Sequence, residues 1–148
     1  MGLYFEDFFV GQSLDTQKRT IAEDDIMTFA RLSGDDNRIH TDPEYGKTTM
    51  FGKQIANGLL GLAIASGLAW QTGILDGTVI AFREVHEWKF VKPVFIGDTI
   101  YVELEVKETK ALPRIGGGSV TITLEVKNQL DEVCHRGQWT VLMMSKPK

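Results

Sequence analysis

A chain of 148 residues with no repeat, low-complexity tract or composition break is expected to form one domain over residues 1–148, with its own hydrophobic core. Its formal net charge of −4 offers no broad cationic surface, so nucleic acid is not an expected partner. The single cysteine, Cys134, excludes an intrachain disulfide, and Glu6 and Asp7 interrupt any amino-terminal apolar signal, so we expect a cytoplasmic protein.

The first predicted helix lies between residues 20 and 34. Residues 20–23 (Thr-Ile-Ala-Glu) have the capping-box pattern of a helix start. Ile26, Phe29 and Ala30 then recur at helical spacing, and Gly34 is a suitable carboxyl-terminal stop. We therefore expect an amphipathic helix that ends near Ser33.

A polar segment follows the first helix. Residues 35–52 contain Pro43 and two glycines, which predicts an ordered loop with a short helical turn at residues 43–47. A loop this long inside a compact domain is often functional. Candidate catalytic side chains are therefore expected in this loop.

The next segment, residues 54–75, carries no charge and is long enough to cross a bilayer. Four glycines and several polar residues dilute it, however, and a helix that is apolar on most sides is also typical of a protein core. We expect a buried helix from about Gly58 to Leu75, with Asn57 as its cap, and no membrane association.

Beyond Gly77 the apolar residues alternate. Residues 100–106 and 120–126 place aliphatic side chains on one face and polar side chains on the other, which predicts two strands with one buried face. Residues 79–91 and 133–143 predict two further strands, and short turns between all four favour antiparallel pairing. One long helix and such a sheet predict an α+β fold in which the sheet curls around the helix.

Asp35 and His40 are the candidate acid–base pair. They lie five residues apart in the polar loop, where both side chains can reach one pocket, and acid–base catalysis needs one group that takes a proton and one that gives it. An aspartate after a helix-ending glycine is also a common turn residue, and a single histidine is often structural. The start of the helix at Gly58 also has two interpretations. Its free N–H groups could polarise a carbonyl, or the glycine could be needed only for packing.

A longer pattern favours the catalytic interpretation. Residues 33–42 (Ser-Gly-Asp-Asp-Asn-Arg-Ile-His-Thr-Asp) closely resemble the signature of MaoC-like (R)-specific enoyl-CoA hydratases. Residues 4–11, 55–60 and 88–99 are also similar to that family, so the resemblance covers nearly the whole chain. It implies a hot-dog fold, a homodimer with sheets joined edge to edge, and reversible hydration of a 2-enoyl thioester of coenzyme A or acyl carrier protein without a cofactor.

The resemblance also assigns individual residues. Asp35 and His40 match the catalytic dyad, and the backbone amide of Gly58 matches the donor to the substrate oxyanion. Asn37 is interpreted as a residue that orders the loop. The candidate substrate-binding residues are Asn37, Asn57 and Leu59. Two positions depart from the family: Arg38 replaces the usual proline, and Asn57 replaces a histidine found in many members. We expect neither change to remove the dyad.

Other functions receive less support from the sequence. His86 and His135 lie in predicted strands, and no set of ligands has metal spacing, so no metal is expected. Lys89, Lys92, Lys110 and Arg114 are either phosphate contacts for coenzyme A or solvated surface charge. Two alternatives remain: a hot-dog thioesterase, and a non-catalytic module that binds acyl thioesters.

Overall fold

The computed structural model describes residues 1–148 and contains four helices and six strands. The helices are α1 (Glu23–Ser33), α2 (Arg38–Thr41), α3 (Pro43–Gly46) and α4 (Gly58–Gln71). The strands are β1 (Ser13–Asp15), β2 (Arg19–Thr20), β3 (Val79–Phe90), β4 (Thr99–Leu112), β5 (Gly117–Lys127) and β6 (Val133–Met144).

The sheet is antiparallel and has the strand order β1-β4-β5-β6-β3, with β2 pairing separately with β4. The four long strands were predicted from their alternation or apolar content. The buried residues of β4, and those of β5 from Val120 onward, are those of the predicted apolar faces. The short strands β1 and β2 were not predicted. Strand β3, which is 12 residues long, lies at one edge of the sheet and pairs only with β6.

The long helix α4 packs against the apolar face of the sheet. Leu60, Ile64 and Leu68 belong to a core cluster that also contains the inward-facing residues of β4, β5 and β6. The helix ends at Gln71, earlier than the predicted Leu75, because the Thr72 hydroxyl donates to the Ala69 carbonyl and the chain then turns through Gly73 at φ +85°. None of the helices combines the length and apolar character that a membrane span requires.

Helix α1 begins later than predicted. The expected capping box at residues 20–23 is wrong: Thr20 lies in β2, where its hydroxyl is 2.8 Å from that of Thr99. The cap is instead made by Asp25, whose carboxylate accepts from the Ala22 N–H at 2.9 Å. The predicted stop is confirmed, since Gly34 has φ +82° and donates its N–H to the Ala30 carbonyl.

Candidate active site

The segment after Gly34 is held by local hydrogen bonds. The Asp35 N–H donates to the Ser33 hydroxyl at 3.1 Å. The Asn37 side-chain oxygen then accepts from the Ile39 N–H at 3.2 Å and so caps α2, the short helix that carries His40. The Thr41 hydroxyl donates back to the Asp36 carbonyl at 3.0 Å. This loop therefore has a defined conformation, with Asn37 serving as a helix cap.

His40 is fixed in one orientation by the segment before α4. Its ring is buried, and Nδ1 lies 2.8 Å from the carbonyl oxygen of Ile55. Because a carbonyl can only accept, Nδ1 carries the proton and Nε2 of the neutral ring is left as an acceptor. The Gln54 side chain donates to the His40 carbonyl at 2.8 Å, and the Ile55 N–H donates to the Ile39 carbonyl at 3.2 Å. Both ring and backbone are thus attached to residues 54–55.

Asp35 is bound by the residue that precedes α4. The Asn57 side-chain NH2 donates to Asp35 Oδ2 at 2.9 Å, and Asn57 is only 3% exposed. Asn57 is the N-cap residue of α4 as predicted, but its side chain makes no capping hydrogen bond. Its other polar atom, Oδ1, is buried without a partner. Asn57 therefore orients the carboxylate of Asp35.

Gly58 is the first residue of α4, so its N–H has no acceptor within the helix. A Cβ atom at this position would lie 2.7 Å from the ring of Phe90. The glycine therefore allows Phe90 to approach the helix start closely. The positive end of the helix dipole adds to the electrostatic attraction for an oxyanion here.

These groups meet at one cavity of about 380 Å³. Of the six predicted site residues, five line it: Asp35, His40, Asn57, Gly58 and Leu59. Asn37 does not. The other lining residues were not assigned to this cavity from the sequence, although Lys92 was named there as a phosphate contact. They are Phe51, Ile55, Ala56, Phe90, Val91, Lys92, Pro93, Val94 and His135. Lys92 forms an ion pair with Glu132, and this carboxylate competes with a phosphate for the Lys92 ammonium group.

His135 is a second histidine in the cavity wall. It lies in β6 as the sequence predicted, is 3% exposed, and contacts the rings of Phe90 and Trp88 edge-on at centroid distances of 5.0 and 6.0 Å. Burial lowers the pKa of His135 to about 4. The ring is therefore neutral at pH 7. Only its position opposite α4, which the sequence does not reveal, distinguishes it from an ordinary strand residue.

The buried His135 should make the fold sensitive to acid. Its folded-state pKa of about 4 lies below the 6.5 of an exposed histidine, so the unfolded chain binds more protons between these values. The free energy of unfolding should therefore fall as the pH drops from about 6.5 to about 4, by up to roughly 3 kcal/mol per chain. Urea denaturation across this range measures the effect.

A matched pair of variants isolates that effect. His135→Phe should flatten the pH dependence. His86→Gln, which replaces a histidine whose side chain is 43% exposed, is the matched control and should keep it. An unaltered slope in His135→Phe would contradict the assignment of acid sensitivity to this ring.

Comparison with known proteins identifies the family of the chain. The family model described as the MaoC like domain matches residues 7–129. The (R)-specific enoyl-CoA hydratase of Rhodospirillum rubrum is 38% identical over 103 residues, covering 70% of this chain and 69% of that protein. Protein MaoC of Klebsiella aerogenes is also 38% identical, over 70% of this chain, but the match spans only 30% of its own length.

Solved structures superpose on almost the whole chain. A monoamine oxidase regulatory protein from Archaeoglobus superposes with a TM-score of 0.91 at 41% identity, covering 99% of this chain and 97% of the other. A Mycobacterium tuberculosis protein with a double hot-dog fold superposes with a TM-score of 0.86 at 20% identity, covering 99% of this chain and 46% of the other, which confirms the predicted α+β hot-dog fold. The family match over residues 7–129 and the identity to these relatives place the chain in the MaoC-like domain family.

Proposed function

We propose that the protein is a hydro-lyase that reversibly hydrates a 2-enoyl thioester to a 3-hydroxyacyl thioester. The observation that carries the proposal is the meeting of Asp35, His40 and the free N–H of Gly58 at one cavity. The names of relatives support it, since the Rhodospirillum rubrum protein is an (R)-specific enoyl-CoA hydratase and another relative, from Methylorubrum extorquens, is a 3-hydroxybutyryl-CoA dehydratase. The function requires no cofactor.

The proposed reaction uses the two side chains as one unit. A water molecule held by the Asp35 carboxylate and His40 Nε2 attacks Cβ of the enoyl group. One member of the pair takes a proton from this water as the water oxygen bonds to Cβ and the double-bond electrons move toward the thioester carbonyl. The pair then delivers a proton to Cα of the resulting enolate, so it ends with the same number of protons. The Gly58 N–H donates to the thioester oxygen and stabilises the negative charge that develops on it. Dehydration follows the same steps in reverse.

The carrier of the acyl group is coenzyme A or an acyl carrier protein in this proposal. Lys92 is the only one of the four predicted phosphate contacts that lines the cavity; Lys89, Lys110 and Arg114 do not. Lys53, with Nζ 4.4 Å from the centroid of the Phe95 ring, lies beside the same segment as Lys92. A phosphate bound at this rim would therefore meet Lys53 and Lys92 rather than the other three cations.

One assay tests the proposal against both alternatives. Loss of enoyl absorbance when the purified protein is mixed with but-2-enoyl-CoA is the expected result. Release of free thiol instead would identify a thioesterase. The Archaeoglobus structure, described as a monoamine oxidase regulatory protein, favours the non-catalytic alternative, which predicts binding of the thioester with neither reaction.

We also propose that two chains, each folded as one domain over residues 1–148, form a homodimer through β3. This edge strand and the residue after it expose five large apolar side chains, which are Ile80, Phe82, Val85, Phe90 and Val91. An unpaired apolar edge of this length is a liability in a monomer, and pairing with a second copy would cover it.

The dimer is expected to have twice the 16.6 kDa mass of one chain by light scattering at micromolar concentration. Val85→Lys, which places a charge on the β3 edge, should shift the mass toward the monomer. Leu130→Lys, at an exposed turn outside β3, is the matched control and should not. A wild-type monomer that retains full activity would argue against the dimer.

A further inference from the structure

The cavity reaches His135, which packs against α4 about one turn beyond the proposed oxyanion donor. Gly61 follows Gly58 by three residues, a distance of about 4.5 Å along a helix axis. A Cβ atom at Gly61 would lie 2.4 Å from Cε1 of His135, so the imidazole packs directly on the helix backbone. Phe90 lies between these positions, since it contacts both Gly58 and the His135 ring. His135 therefore borders the space that an acyl chain enters once its carbonyl is at Gly58.

The His135 ring has hydrogen-bonding capacity that the protein does not use. Its Nδ1 atom is buried and has no partner. The neighbouring Trp88, whose ring centroid is 6.0 Å away, also has a buried Nε1 without a partner. Buried polar groups are normally hydrogen-bonded, because leaving one unpaired is costly. A purely apolar acyl chain would leave these nitrogens unpaired.

We propose that His135 recognises a neutral oxygen on the acyl group, so that the preferred substrates are short 2-enoyl thioesters with a hydroxyl group on Cγ. The proposal rests on the proposed hydratase function and names its substrate class. Cγ lies three bonds from the carbonyl carbon, which is roughly 3.9 Å in an extended chain, and a hydroxyl oxygen on Cγ lies roughly 5 Å away. These distances bracket the rise of about 4.5 Å along the helix from Gly58 to Gly61.

The state of the ring suits such a partner. The burial that keeps His135 uncharged at pH 7 disfavours a carboxylate-bearing chain, because a buried anion requires a positive partner. A neutral imidazole offers one N–H donor and one acceptor, and a hydroxyl group can satisfy either. An isosteric methyl group can satisfy neither.

The test compares two substrates that differ only at this position, 4-hydroxybut-2-enoyl-CoA and pent-2-enoyl-CoA, in which a methyl group replaces the hydroxyl. For the wild-type protein, kcat/KM should be at least about tenfold higher for the hydroxylated substrate. His135→Phe should reduce this ratio to about one. His135→Gln, which keeps a hydrogen-bonding group, should restore part of the preference.

A spectroscopic readout does not depend on whether the variants fold. The imidazole 15N resonances of His135 in the wild-type protein should shift when saturated 4-hydroxybutanoyl-CoA binds, and should shift much less with pentanoyl-CoA. Equal kcat/KM values for the two enoyl substrates, or a preference that persists in His135→Phe, would overturn the inference alone. Hydration of neither substrate by the wild-type protein would overturn the proposed function itself.

Discussion

Replacing His40 by alanine is expected to lower the turnover number for hydration of but-2-enoyl-CoA by about 10² to 10⁴, the usual contribution of a positioned acid–base group. The Nδ1–H donation to Ile55 leaves Nε2 as the acceptor for the water molecule of the proposed mechanism, and alanine removes it. The structural cost is smaller, because the lost hydrogen bond contributes about 1 kcal/mol and the Ile55 N–H remains paired with Ile39. Steady-state kinetics and urea denaturation of the same preparation separate the two effects.

His86→Ala is the matched control for His40→Ala, because His86 is an exposed histidine outside the cavity. It should retain turnover within a few-fold of the wild type. A His40→Ala protein that is largely unfolded, and whose folded fraction keeps full specific activity, would show that His40 is a structural residue.

The strands were predictable where the sequence contains enough residues to establish a period. Strands β4 and β5 extend over 14 and 11 residues with alternating burial, so their apolar faces could be assigned before the fold was known. Strands β1 and β2 have three and two residues, too few for a period. Their positions depend on pairing with β4, which is a tertiary interaction.

The candidate site shows the same limit. Asp35 and His40 could be named from the sequence because a local motif contains both. Asn57 was assigned from its neighbours as a helix cap, yet its side chain binds Asp35, which lies 22 residues away in the chain. His135 is more distant still, and only the packing of β6 against Gly61 reveals that it borders the cavity. Spacing predicts local partners, whereas the sheet determines distant ones.

Asp35→Asn is expected to lower turnover by about 10² or more, whereas Asp36→Asn should stay within a few-fold of the wild type. The two carboxylates are adjacent in the sequence, but only Asp35 lines the cavity and accepts from Asn57. Asp36 is exposed, and its side chain makes no hydrogen bond that the substitution would break. An asparagine at position 35 can still accept from the Asn57 NH2 group through its own carbonyl oxygen. The substitution therefore removes proton exchange while it preserves shape and this contact.

The double variant Asp35→Asn with His40→Ala extends this comparison. If the two side chains act on one water molecule as a unit, the double variant should be little slower than the slower single variant, because removing either member already disables the pair. Turnover of but-2-enoyl-CoA by the wild type and all four variants, including Asp36→Asn, should be measured at one pH and at saturating substrate. Equal losses at Asp35 and Asp36, or losses that multiply fully in the double variant, would exclude the dyad even if the wild-type protein proves to be a hydratase. In that case the water would have to be activated elsewhere in the cavity, and the Asn57–Asp35 hydrogen bond would only order the loop between α1 and α2.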